Sequence, residues 1–105
     1  MNAIEHLLPG LVEKELQAAN AKFPPFHSLH EGYAVLLEEV EEVNEEVDYI
    51  ENTVKGIWRS VKADNIEIAL YCADRVEDHA IRLAAEAIQV AAMAKKFRAI
   101  SMKEE

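Results

Sequence analysis

The sequence predicts an all-α protein, on three observations. Its 105 residues include only 3 Gly and 3 Pro, confined to Pro9-Gly10, Pro24-Pro25, Gly32 and Gly56. No stretch alternates for long with the period of a strand, whereas two long stretches repeat apolar residues at spacings of three and four, which lines one face of a helix. We expect an antiparallel helical bundle, a single domain over residues 1–105, with a long heptad-patterned central helix. A chain this short buries a thin core, so the bundle is expected to be completed by oligomerisation.

Residues 2–22 read as an amphipathic helix with Leu8, Leu11, Val12, Leu16 and Ala19 toward the core, and Pro9-Gly10 is the place where it would break. Phe23-Pro24-Pro25-Phe26 ends it, because proline has no amide to donate and disfavours helical geometry in the residue before it. Ser28-Leu29-His30-Glu31 has the form of a capping box, in which hydroxyl and carboxylate satisfy the orphan amides of a helix start. Beyond it Leu36, Val40, Val43, Val47, Ile50, Val54, Ile57 and Val61 follow at spacings of four and three, a heptad seam. Gly56 weakens that helix by roughly 1 kcal/mol relative to Ala, yet Ile57 and Trp58 keep the pattern, and the helix is expected to reach Lys62. Ala63-Asp64-Asn65 supplies a turn. From Ile66 to Ile100 there is no Gly or Pro, and Ile66, Ala69, Ala73, Val76, Ala80, Ala84, Ala87 and Ala91 form a second stripe. This stretch is one helix or two, with Glu77-Asp78-His79 as the place for a break. The alanines between Ala84 and Ala94 offer a surface that another helix can approach closely.

The net charge of −9 is concentrated. Between Lys22 and Lys55 there is no Lys or Arg, while Glu31, Glu38, Glu39, Glu41, Glu42, Glu45, Glu46, Asp48 and Glu51 account for the whole excess. Such a surface repels phosphate backbones, which argues against direct nucleic-acid binding. The single Cys72 excludes an intrachain disulfide and a CxxC metal knuckle, and favours a reducing compartment. No apolar run approaches the ~20 residues of a membrane span, and the start lacks the charged-then-apolar order of a signal peptide. A soluble, cytoplasmic protein with no membrane partner is expected.

On a helical projection at about 100° per residue, Glu38, Glu41, Glu45 and Asp48 fall opposite the seam, as a solvated face would. Glu39, Glu42 and Glu46 lie together on one flank, where like charges at this spacing destabilise an isolated helix by about 0.2–0.5 kcal/mol per pair. No base on this helix before Lys55 offsets that repulsion. A divalent cation held by carboxylates from facing helices would offset it, because hard oxygen ligands suit Mg²⁺. A helix edge in water is the plainer explanation, since carboxylates three apart are common. Glu86, alone among alanines, is the candidate ligand from the last helix.

The stretch Lys22-Phe-Pro-Pro-Phe-His-Ser-Leu-His-Glu-Gly-Tyr-Ala-Val-Leu-Leu-Glu-Glu-Val-Glu-Glu-Val43, with Glu86-Ala-Ile-Gln-Val-Ala-Ala-Met-Ala-Lys-Lys-Phe97, resembles the phage-type branch of the MazG-like all-α nucleotide pyrophosphohydrolases. The two blocks cover about a third of the chain, the first being the more specific. The resemblance implies hydrolysis of nucleoside triphosphate to monophosphate and pyrophosphate with Mg²⁺, or Mn²⁺ in its place, by a helical homodimer or homotetramer. It makes Glu39 and Glu42 the first metal pair, and Glu86 and Gln89 the second. Gln89 stands where the family has Asp, so the site carries one formal negative charge fewer. The interval between the motifs is also long, which implies an insertion around residues 52 to 80. On the same resemblance Glu38 or Glu46 would orient or deprotonate water, and Lys95, Lys96 and Arg98 would neutralise distal phosphates, although bases near a helix C-terminus also answer the helix dipole.

Tyr33 and Trp58 could stack on a base, with packing as the simpler role. His6, His27, His30 and His79 lack metal-ligand spacing and are expected at the surface or in caps. Asp74, Glu77 and Asp78 form a second acidic group, expected to be solvated, with a metal pair there as the alternative. Cys72 is expected to be an inert thiol and Met93 a core residue. A different class stays open beside the enzyme: a small helical interaction protein, phage-encoded, that oligomerises through its seam and meets a basic partner with its acidic face.

Overall fold

The computed structural model describes residues 3–103, and among them every regular element is helical. A short 3-10 turn, Glu5–Leu7, leads into α1, Leu8–Lys22; α2 is Leu29–Lys62 and α3 is Ile66–Lys103. No helix among the described residues is long and apolar enough to cross a membrane.

One expectation is corrected and one open alternative is decided. Pro9-Gly10 does not break a helix begun at residue 2 but lies in the first turn of α1, where the missing proline amide would have had no partner anyway. Nor does Glu77-Asp78-His79 interrupt the last helix: α3 runs unbroken, with Asp78 paired to Arg75 one turn back and His79 bonded to Glu46. With no Gly or Pro there, these partners leave the helical backbone unopposed.

The ends of α2 follow their local chemistry. Ser28 Oγ accepts the Glu31 amide at 3.1 Å, and Glu31 in turn accepts from the His27 amide at 3.2 Å and the His27 ring at 3.1 Å. Hydrogen bonds from the His27 ring and then the His27 amide hold the Glu31 carboxyl below its ordinary value of 4.5. A depressed folded-state pKa contributes stability that is present above pH 4.5 and lost as pH falls through the folded value. The gap in melting temperature between wild type and Glu31→Gln should therefore be open at neutral pH and close in acid.

At the other end Asp64 takes a left-handed φ of 54°. Its amide donates to Val61 O at 3.1 Å and that of Asn65 to Ser60 O at 2.9 Å, the paired bonds of a Schellman stop. Asn65 then caps α3, its Oδ1 accepting the Ile68 amide at 3.1 Å. Asn65→Ala should cost about 1 kcal/mol, whereas Asp64→Gly should gain up to about 1 kcal/mol by relieving the left-handed residue. Thermal melts of the two variants should move in opposite directions.

The chain comprises two compact units, one of residues up to Val40 with those from Glu86 onward, the other Glu41–Ala85. In the first, α1 and the start of α2 pack on the last part of α3, around Ala92, Met93 and Ile100, which are 0%, 6% and 6% exposed. Gly32 lets α2 close on the Phe97 ring. In the second, the end of α2 and the start of α3 pair antiparallel: Glu46 meets His79, and Gly56 lies beside Cys72. Ser60, 5% exposed, is satisfied by donating to Gly56 O at 2.9 Å.

The heptad seam is only partly covered. Leu36, Val43, Val47, Ile50 and Ile57 are half-buried, but Val40, Val54 and Val61 are exposed, as is Leu11 of α1. The covered arc of α2 is turned toward the flank bearing Glu39, Glu42 and Glu46, all half-buried. On α3, Ala73, Ala80, Ala84 and Ala87 of the alanine stripe also face outward.

Candidate metal centre and adjoining cleft

Two helices set the candidate centre. The unbroken α2 places Glu39 and Glu42 one turn apart on its covered flank, and α3 presents Glu86 from its alanine-rich part. Glu39 and Glu86, both in the first unit, offer carboxylate oxygens within 4.8 Å of each other, and Glu42, on the next turn of the same helix, completes the group. All three are half-buried. An Mg²⁺ ion binds oxygens at about 2.1 Å, so that ligands on opposite sides of it stand about 4.2 Å apart. Three hard carboxylates at this separation fit such a cation in charge, donor type and spacing. Asp74, Glu77 and Asp78 do not form a comparable group among the described residues.

Gln89 lies one turn after Glu86 on α3. Its Nε2 donates to Glu15 Oε1 at 2.6 Å, so α1 brings a carboxylate beside the position where the family pattern has Asp. Glu15 and Gln89 line one cleft together with Glu39. Sequence reasoning missed Glu15, and no local signal marks it, because its partner lies on a different helix.

The expected water-handling residues separate. Glu38 is exposed. Glu46 is bonded to His79 Nδ1 at 2.5 Å, and the His79 ring stacks on Tyr49 with centroids 3.6 Å apart. The side chains of His79 and Glu46 are 13% and 20% exposed, so His79 is neither a surface nor a capping residue. In this second unit His79→Ala leaves a half-buried carboxylate without its donor, and should cost about 1–3 kcal/mol in a thermal melt.

The bases separate as well. Lys95 pairs with Glu13 of α1 at 3.0 Å, and Arg98 is exposed. Lys96 is only 7% exposed, with Nζ 4.8 Å from the centroid of the Phe26 ring. Tyr33 and Trp58 do not pack; they are 61% and 59% exposed, and Lys62 Nζ sits 5.5 Å from the Trp58 ring. The aromatic residues that do line a cleft are Phe23 and Phe26, from the segment joining α1 to α2. That cleft has a volume of about 540 Å³ and belongs wholly to the first unit.

The fold and site define an all-helical protein with a three-glutamate group beside an aromatic-lined cleft. No family model, curated protein or solved structure matches the chain.

Proposed function

We propose that this protein is a MazG-like, Mg²⁺-dependent nucleoside triphosphate pyrophosphohydrolase that works as a homo-oligomer. The observation that carries the reading is the three-glutamate group, formed by the residues that helix geometry and the family motif single out. Glu39, Glu42 and Glu86 would hold the metal, and the Gln89 side chain borders them from the next turn of α3. A bound Mg²⁺ would polarise the attacked phosphoryl group and offset the charge of the triphosphate, which reconciles an acidic site with an anionic substrate. Glu15, tied to Gln89, returns negative charge near the position of the replaced acid. Of the two outer carboxylates proposed to orient water, Glu46 is bonded to His79 and Glu38 is exposed.

The exposed stripes support a second copy as partner. Val54, Val61 and the outward alanines of α3 provide the apolar, small-residue surface such a contact needs.

The test follows pyrophosphate release from a nucleotide panel with Mg²⁺, alongside the melting temperature with and without metal. Release from at least one nucleotide and a metal-dependent rise in melting temperature are expected. Absence of both would leave the alternative, a non-catalytic helical interaction protein.

A further inference from the structure

The second unit leaves one side of its helix pair apolar and uncovered. On α2, Val54, Trp58 and Val61 are exposed, and on α3 so are Ile66, Leu70, Ala73, Ala80 and Ala84. Projected at about 100° per residue, both sets lie roughly 100° round from the covered arc of their helix, in the same sense. Because the two helices run antiparallel, the same sense of rotation brings both stripes to one side of the pair. The outer edge of α2 beside that side carries Glu41, Asp48, Lys55 and Lys62, all exposed and spaced by seven residues. Seven residues is close to two turns, so the four charges form a line along the helix, two acids followed by two bases. None of the four has an ion-pair partner among the described residues.

Such a line is complementary to its own reverse. Laid antiparallel on a second α2, it sets Glu41 against the partner's Lys62 and Asp48 against the partner's Lys55, with a two-fold axis at the level of Glu51. A parallel second α2 in register would set like charges together. The position of the axis can be read independently on α3. Glu46 meets His79 and Gly56 lies beside Cys72, so Glu51, midway along α2 between them, is level with residues 75 and 76. An axis at residue 75 sets Ile66 against the partner's Ala84 and Leu70 against the partner's Ala80. Each layer then faces a large side chain with a small one, which lets the surfaces interdigitate.

We propose that this side of the second unit is a dimer interface, on which a second copy of the chain packs antiparallel, α2 on α2 and α3 on α3, about an axis at the level of Glu51. The contact is isologous, the same patch serving on both copies. It names the surface for the homo-oligomer proposed above and rests on that reading. Glu42 projects about 160° away from Trp58 on α2, so its side of the helix faces away from the interface in each copy.

The test combines sedimentation of the full chain with cross-linking. Wild type is expected to sediment as a dimer or larger, and the emission of Trp58, the single tryptophan, to move to the red as dilution uncovers it. Val54→Asp should give a monomer of unchanged helix content. Lys55→Glu turns two symmetry-related attractions into repulsions and should weaken the dimer by about tenfold, on the scale of exposed ion pairs. Adding Asp48→Lys to the same chain should restore it. In a Cys72→Ser background, Glu51→Cys should be joined to its partner by a short bismaleimide, whereas Glu45→Cys, exposed on the opposite side of α2, should not. An oligomer indifferent to Val54→Asp, not restored by the double charge exchange, or linked through Glu45→Cys in preference to Glu51→Cys would overturn this interface and leave the homo-oligomer standing. A monomeric wild type would overturn the homo-oligomer and this interface together, and leave the hydrolase chemistry to its own assay.

Discussion

Glu86→Gln is expected to lower Mg²⁺-dependent pyrophosphate release by at least about a hundredfold. Even groups that only support a metal ligand cost 10–100-fold when removed, and Glu86 is proposed as a ligand itself. It is also the one member of the group that α3 contributes, so its loss leaves carboxylates from α2 alone. The same substitution should abolish the rise in melting temperature that Mg²⁺ produces, because a ligand stabilises only the state that binds it. Glu41→Gln is the matched control. It removes the same charge from an exposed position of α2, and both activity and the metal-dependent shift should stay near wild type. If Glu41→Gln lowers release as much as Glu86→Gln, the effect belongs to overall charge and not to a site.

Gly32→Ala is expected to destabilise the fold although alanine favours helices. A Cβ at Gly32 would lie 2.6 Å from Cδ2 of Phe97 and 3.1 Å from Cδ1 of Ile100, whose side chain is in the small buried core. The Phe97 ring must shift, and overpacking of this kind costs about 1–3 kcal/mol. For a chain of this size each kcal/mol moves the melting temperature by about 4–8 °C. Gly56→Ala makes the sign informative. The added carbon there meets Cys72 Sγ at 3.5 Å, ordinary contact, so helix propensity should prevail and raise stability by up to about 1 kcal/mol. Thermal melts in which both alanines stabilise would refute the close approach of α2 to Phe97.

Much of the helical layout was legible in the sequence, because it depends on local chemistry. The capping box at Ser28 and the turn at Ala63-Asp64-Asn65 each involve residues within a turn or two of one another. The continuity of α3 through Glu77-Asp78-His79 was not legible. Clustered charges there suggested a break, but their partners include Glu46 on α2, which spacing within α3 cannot reveal. Periodicity marked Val54, Val61 and the alanines as an apolar face without showing that the single chain leaves them uncovered.

The candidate site divides in the same way. Glu39 and Glu42 could be chosen from one helix, since their spacing fixes their common face. Glu86 was found by its isolation among alanines. Phe23 and Phe26 were read as the end of a helix, because Phe-Pro-Pro-Phe has an adequate local explanation as a stop. Their place in a cleft with Lys96 arises only when α1 and α2 meet the last part of α3. Glu15 escaped for the same reason, its role depending on a bond to Gln89.

The most direct test of the central claim is a crystal structure of the protein with Mn²⁺, read by anomalous scattering at the manganese edge. A peak ligated by Glu39, Glu42 and Glu86 is expected. Ordered crystals that bind manganese elsewhere, or leave those carboxylates without a peak at saturating metal, would contradict it.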